Sequence, residues 1–179
     1  MRLRTGLLLM ALGAAAPLQA QVYLAPNAGL AFGGDTNDDA KVSYGGTLTF
    51  AGESHMLGFA VDYAYTPDFF AGNLTDNNVN TLMGNLVLIS HGRTRLYGSI
   101  GLGLMKTRVR DVNQFFNVDS NELGMDAGGG LLFAPGRFGF QADVRYFRNL
   151  TDPEPDNEFD VDLGSFSYWR GSGGLVIRF

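Results

Sequence analysis

The chain has 179 residues, enough for one domain, with no cysteine and a formal net charge of −5 from 13 Lys and Arg against 18 Asp and Glu. That acidic balance argues against nucleic acid as a partner, and the lack of cysteine excludes a disulfide-stapled fold. After the first twenty residues no stretch approaches the ~18 consecutive apolar residues a spanning helix needs, so the remainder is soluble or crosses a membrane as strands.

The N-terminus carries Arg2 and Arg4, an apolar run from Gly6 to Ala16, and small residues before an expected cut after Ala20. This is the pattern of a secretory signal peptide, which leaves residues 21–179 as the mature domain. A first strand is expected over Val22–Gly33, where Leu24, Pro26, Ala28, Leu30 and Phe32 alternate with Tyr23, Ala25, Asn27 and Gly29. Pro26 interrupts it, because proline removes a ladder donor. A polar loop, Gly34–Lys41, leads to a second strand, Val42–Phe50, and a short turn at Gly52-Glu53-Ser54.

The third strand, Met56–Tyr65, puts Leu57, Phe59, Val61, Tyr63 and Tyr65 on one face and Asp62 on the other. After a polar loop, Thr66–Asn78, the fourth strand, Val79–Ser90, has apolar residues on both faces; Asn85 argues that the even-numbered ones face outward. His91 to Thr94 form a tight turn. The fifth strand, Arg95–Arg110, sets Leu96, Ile100, Leu102 and Leu104 opposite Tyr97, Ser99, Gly101 and Gly103, then turns basic at Lys106, Arg108 and Arg110.

Beyond a loop at Asp111–Ser120, the sixth strand, Asn121–Phe133, has Asp126 on its polar face. The turn Ala134-Pro135-Gly136-Arg137 has the residues such turns use. The seventh strand, Phe138–Arg148, opposes Phe138, Phe140, Ala142, Val144 and Tyr146 to Gln141, Asp143 and Arg145. An acidic loop, Asn149–Leu163, precedes the last strand, Phe166–Phe179, where Trp169, Gly171, Gly173, Leu175, Ile177 and Phe179 share one face.

Eight strands with connections alternating long and short predict an all-β fold: an eight-stranded antiparallel up-and-down transmembrane β-barrel after an N-terminal signal peptide. Phe32, Tyr44, Tyr65, Tyr146 and Trp169 fall near the long-loop ends, and Phe50, Phe133, Phe138 and Phe179 near the short-turn ends. Two such girdles suit the two faces of a bilayer. In hydrocarbon every unpaired N–H or C=O costs several kcal/mol, so a spanning sheet must close. A lipocalin-like barrel has the same period with its apolar face inward, but its ligand cavity should not be lined with Asp62, Asp126, Asp143, Arg145 and Arg170.

Those five charges are expected inside, together with Arg178. An eight-stranded barrel is just wide enough to fill with side chains, so an Asp/Arg network plugging the lumen is expected, held together by mutual pairing. The alternative use of such a network is a gate for protons or ions. The loops Asp35–Asp39 and Asp152–Asp160 are oxygen-rich but lack a full calcium-loop pattern, so a solvated acidic surface is the plainer expectation and no metal site or cofactor is assigned. Lys106, Arg108 and Arg110 could pair with lipopolysaccharide phosphates or with neighbouring acids.

No catalytic residues are assigned. His55 and His91 fall in short turns, and the neighbours Ser54-His55 and Ser90-His91 need not form a hydrogen-bonded pair. The glycines at 128–130 read as strand positions, not as a phosphate cradle.

The last strand resembles the C-terminal signal of Gram-negative outer-membrane barrels in Ser172, Gly174, Ile177 and Phe179, and the pattern of residues 21–179 resembles the small outer-membrane β-barrel family (OmpA-barrel and OmpX-like, often called porin-family proteins). The resemblance implies recognition of that strand by the barrel-assembly machinery and closure against the first strand. It also implies a monomer in contact with outer-membrane lipid and lipopolysaccharide, with a structural or surface-interaction role. No appended peptidoglycan-binding domain is expected. The competing functions are a narrow conduit for ions or small molecules and a lipid A-modifying surface enzyme.

Overall fold

The computed structural model describes residues 20–36, 40–52, 56–69, 76–110, 117–150 and 166–179. These form eight strands: β1 (Ala20–Phe32), β2 (Lys41–Gly52), β3 (Leu57–Pro67), β4 (Asp76–Ile89), β5 (Thr94–Arg110), β6 (Asn117–Phe133), β7 (Phe138–Asn149) and β8 (Ser167–Arg178). Each pairs antiparallel with its sequence neighbour, and β8 pairs with β1, so the sheet closes. A short 3-10 turn, Gly34–Thr36, follows β1. No helix among the described residues is long and apolar enough to cross a membrane.

Register fixes the barrel's shape. Cross-strand partners followed from Val22 run through Phe50, Phe59, Leu86, Ile100, Ala127, Tyr146 and Trp169, and return to β1 at Phe32, ten residues beyond the start. With ~3.3 Å per residue and ~4.8 Å between strands, that stagger tilts the strands by about 40°. Every residue on this path belongs to the outward set, so the alternation of all eight strands is in phase.

Outward, the barrel presents Leu24, Leu30, Val42, Tyr63, Leu82, Leu86, Ile100, Leu102, Leu104 and Val144, all exposed. Phe59 and Phe140 also face out, 40% and 48% exposed, where a lipocalin-like barrel would turn them inward. At the long-loop end Phe32, Trp169 and Tyr146 are cross-strand neighbours, with the Tyr146 and Trp169 rings 5.2 Å apart; Tyr44 and Tyr65 face each other between β2 and β3. At the short-turn end Phe133 and Phe140 lie 5.2 Å apart.

Several strand bounds differ from the sequence reading, most of all at β6 and β4. The sixth strand begins at Asn117, not Asn121, and the fourth at Asp76, not Val79. The β5–β6 ladder runs on to Arg110 and Asn117, because backbone pairing continues in water after the apolar alternation has ended. Strand one ends at Phe32, since Gly33 takes a left-handed φ of 67°. Pro26 leaves the β1–β2 register unbroken, but the β1–β8 ladder pairs Tyr23 and Leu24 and resumes only at Asn27. The Pro26 carbonyl faces β8, and so does its hydrogen-free nitrogen.

Candidate functional site

The interior is layered. At the short-turn end Tyr23, Ala25, Ala51, Ala60, Val87, Ile89, Leu132 and Val176 form one buried apolar cluster. At the long-loop end Ala31, Phe69, Val79, Met83, Met105, Phe147, Phe166 and Tyr168 form another. The charged residues lie between them.

Arg145 on β7 is the hub. Its Nη1 lies 3.4 Å from Asp126 Oδ2, and its Nη2 lies 3.5 Å from Asp143 Oδ2 and 4.0 Å from Asp62 Oδ2. Arg170 on β8 donates to Asp62 Oδ1 at 2.5 Å and stacks its guanidinium on the Phe147 ring, 4.8 Å from the centroid. Both arginine side chains are 1% exposed.

Neutral groups complete the carboxylates' shells. Asp143 accepts from the hydroxyls of Tyr97 and Ser172, each at 2.7 Å, and from Gln141 Nε2 at 3.1 Å. Asp62 accepts from Thr47 Oγ1 at 2.8 Å, which in turn receives Asn27 Nδ2 at 3.2 Å. The Asn85 amide faces Asp126; with nitrogen assigned to that side it donates to both carboxylate oxygens, at 3.0 and 3.1 Å. Gly101 makes room for this pair, since a Cβ there would lie 2.4 Å from Asp126 Oδ1 and 2.6 Å from Asn85 Oδ1.

Burying ions costs several kcal/mol each, and mutual attraction offsets that only when the remaining lone pairs are also satisfied. Asp62 and Asp143 meet that condition through the donors just named. Below the network, the enclosed space lined by Thr49, Tyr97, Gln141 and Arg145 among others has a volume of ≈ 10 Å³, about one water molecule.

The structure thus brings Asp62, Asp126, Asp143, Arg145 and Arg170 together from β3, β6, β7 and β8. Arg178, opposite Tyr23, lies apart at the short-turn end. Lys106 is half-buried near the end of β5; the backbones of Arg108 and Arg110 pair with Asp119 and Asn117, and their side chains lie outside the described ones. Of the terminal motif, Ser172 hydrogen-bonds Asp143, and a Cβ on Gly174 would lie 2.2 Å from the Pro26 carbonyl oxygen. Only glycine fits that approach across the β1–β8 seam. Ile177 and Phe179 face outward.

His91 is exposed in its turn, and Ser90 Oγ accepts the Leu96 N–H at 2.8 Å; Ser54 and His55 lie outside the described residues. Both acidic loops fall largely outside them too, although Asp35 Oδ2 accepts the Ser167 N–H at 2.7 Å. Among the described residues no three His, Cys, Asp or Glu side chains converge as metal ligands.

The long-loop plug was not anticipated. Asp68, in left-handed conformation at φ 49°, turns the chain after β3, and its N–H donates to the Asn77 carbonyl. Phe69 then enters the lumen, its ring centroid 5.0 Å from that of Tyr168 and 5.1 Å from that of Phe166. An apolar Phe69-Phe70 pair inside a polar loop was the available signal.

A closed antiparallel cylinder with an apolar exterior, aromatic rims and a charged, side-chain-filled interior is a transmembrane β-barrel. The chain belongs to the outer membrane protein beta-barrel domain family, whose model matches residues 5–167. No curated protein matches it significantly.

Among solved structures it is similar to Neisserial surface protein A, at 16% identity and a TM-score of 0.66, covering 89% of this chain and 97% of that one. It is also similar to the N-terminal β-barrel domain of Pseudomonas aeruginosa OprF, at 15% identity and a TM-score of 0.50, covering 88% and 98%. A third is Ail, the attachment invasion locus protein of Yersinia pestis, solved with the heparin analogue sucrose octasulfate: 18% identity, a TM-score of 0.51, and coverage of 89% and 100%. At these identities the likeness is one of fold.

Proposed function

We propose that the protein resides in the outer membrane as a plugged, non-catalytic barrel with a structural or surface-interaction role. The observation that carries this reading is the Asp/Arg network held between two apolar clusters. An ion moving along the axis would have to part the Phe69, Phe166 and Tyr168 rings and then the pairs around Arg145 and Arg170. Export through the N-terminal signal, with the short turns in the periplasm and the long loops outside, follows the usual arrangement of such barrels.

On this reading the assembly machinery recognises Ser172, Gly174, Ile177 and Phe179 on the closing strand. Its support is the fit of Gly174 against β1. Lys106, Arg108 and Arg110, at the long-loop end of β5, supply cations for lipopolysaccharide phosphates. The barrel acts as a monomer.

Planar-bilayer recording tests the plug. The purified protein should give no ion-conducting steps above baseline, and Asp143→Asn or Arg145→Met should decide whether the network gates anything. Regular steps from the unmodified protein would replace this reading with a conduit. Lipid A whose mass changes when the protein is present would replace it with an enzyme.

A further inference from the structure

The short-turn end carries a charge pattern that neither the plug nor the outer loops explain. Arg93 and Arg137 are exposed in the turns 90–93 and 134–137, and neither turn contains an acid. Arg178 stands beside Arg137, its backbone N–H donating to the Arg137 carbonyl at 2.8 Å. Arg95 turns across the mouth, giving Nη1 to the Tyr23 hydroxyl at 2.8 Å and Nε to the Gly92 carbonyl at 3.3 Å. Among the described residues no carboxylate pairs with any of these four arginines. The Phe179 α-carboxylate follows Arg178 directly and offsets one of these charges; Glu53, in the sequence between β2 and β3, lies outside the described residues.

The lipid-facing surface beside these turns is strongly apolar. Leu96, Phe138, Leu175 and Phe179 are each exposed by about two thirds. The arginines therefore stand where a bilayer changes from acyl chain to headgroup, and the β4–β8 half of the rim is positive. A guanidinium is a planar fork of donors that matches two phosphate oxygens, and it keeps its charge at any physiological pH.

We propose that the rim formed by Arg93, Arg137 and Arg178 docks the phosphate of anionic phospholipids in the inner leaflet. Arg93 and Arg137 are the exposed forks, and Arg178 reinforces the field behind them. The neighbouring Phe138 and Phe179 rings receive the upper acyl chain. This rests on the reading that the short turns face the periplasm. It concerns the end of the barrel opposite to Lys106 and Arg148.

Native mass spectrometry of the full mature protein, incubated with equimolar phosphatidylglycerol and phosphatidylcholine of matched chains, tests it. Two exposed arginines at a membrane surface should favour the anionic lipid by about thirtyfold in retained adducts. The preference should fall to parity in Arg93→Gln/Arg137→Gln and survive in Arg93→Lys/Arg137→Lys. It should be untouched by Arg148→Gln at the opposite end. Folding of each variant is followed by heat-modifiable mobility on gels, and the single Arg93→Gln and Arg137→Gln variants serve if the double does not fold.

Equal retention by the unmodified protein, or a preference that survives the glutamine variants, overturns the proposal. Failure of the membrane reading would show separately, as a mature chain soluble without detergent.

Discussion

Replacing Arg145 by Met removes the hub of the interior while nearly conserving side-chain length. Three carboxylates then face one another, and among the described residues only Arg170 remains to compensate them. At an effective dielectric of ~20, each attraction at the observed 3.4–4.0 Å is about 4–5 kcal/mol, and much of that sum is offset by the guanidinium no longer being desolvated. Measured losses for breaking one side of a buried pair are about 3–5 kcal/mol, and Arg145→Met should fall in that range. The assay is urea unfolding in lipid vesicles, followed by fluorescence of the single tryptophan, Trp169, on the lipid-facing side. Adding Asp143→Asn, which lowers the uncompensated charge, should recover part of the loss. A loss under ~1 kcal/mol for Arg145→Met, the scale of an exposed pair, would refute the view that these ions are buried and mutually dependent.

Gly101→Val should destabilise by about 1–3 kcal/mol in the same assay, because its Cβ would lie 2.4 Å from Asp126 Oδ1 and 2.6 Å from Asn85 Oδ1, inside van der Waals contact; a neutral result would mean that the pair is not where it is described. Ile100→Arg, one residue away but outward, should cost about 2–4 kcal/mol in bilayers through exposure of charge to hydrocarbon, and the cost should shrink toward the rims, for example at Leu96. A flat depth profile would argue against hydrocarbon around the barrel. Gly174→Val should prevent closure at the β1–β8 seam, seen as loss of the heat-modifiable folded band on gels; normal folding would contradict the tight approach to Pro26.

How much of this was legible in the sequence depends on whether a feature is local. Which way each side chain points follows from a period of two, so the outward faces of β3 and β7 could be read directly. Asn85 alone set the phase of β4, whose two faces look alike because Val79, Met83 and Val87 fill the lumen. Pairing inside the lumen is not local. Asp62 and Arg170 are 108 residues apart in sequence and meet only because the ten-residue stagger brings β3 and β8 to a common level. Sequence placed both inside and called for Asp/Arg pairing, but nothing in it said which partners meet. The extension of the β5–β6 hairpin was hidden for a different reason: Asp119, Ser120 and Asn121 have loop-like chemistry, while their backbones still find partners in Arg108, Thr107 and Lys106. Phe69 was missed because a residue that caps a barrel mouth belongs to no strand's alternation.

The direction of the apolar face is the claim on which everything else stands, and because the chain has no cysteine it can be read by a spin label at Ile100→Cys in vesicles. A lipid-facing site predicts frequent collisions with dissolved oxygen and few with a water-soluble nickel chelate. Ready access by the chelate, or exclusion of both reagents as in a packed protein core, would contradict the account.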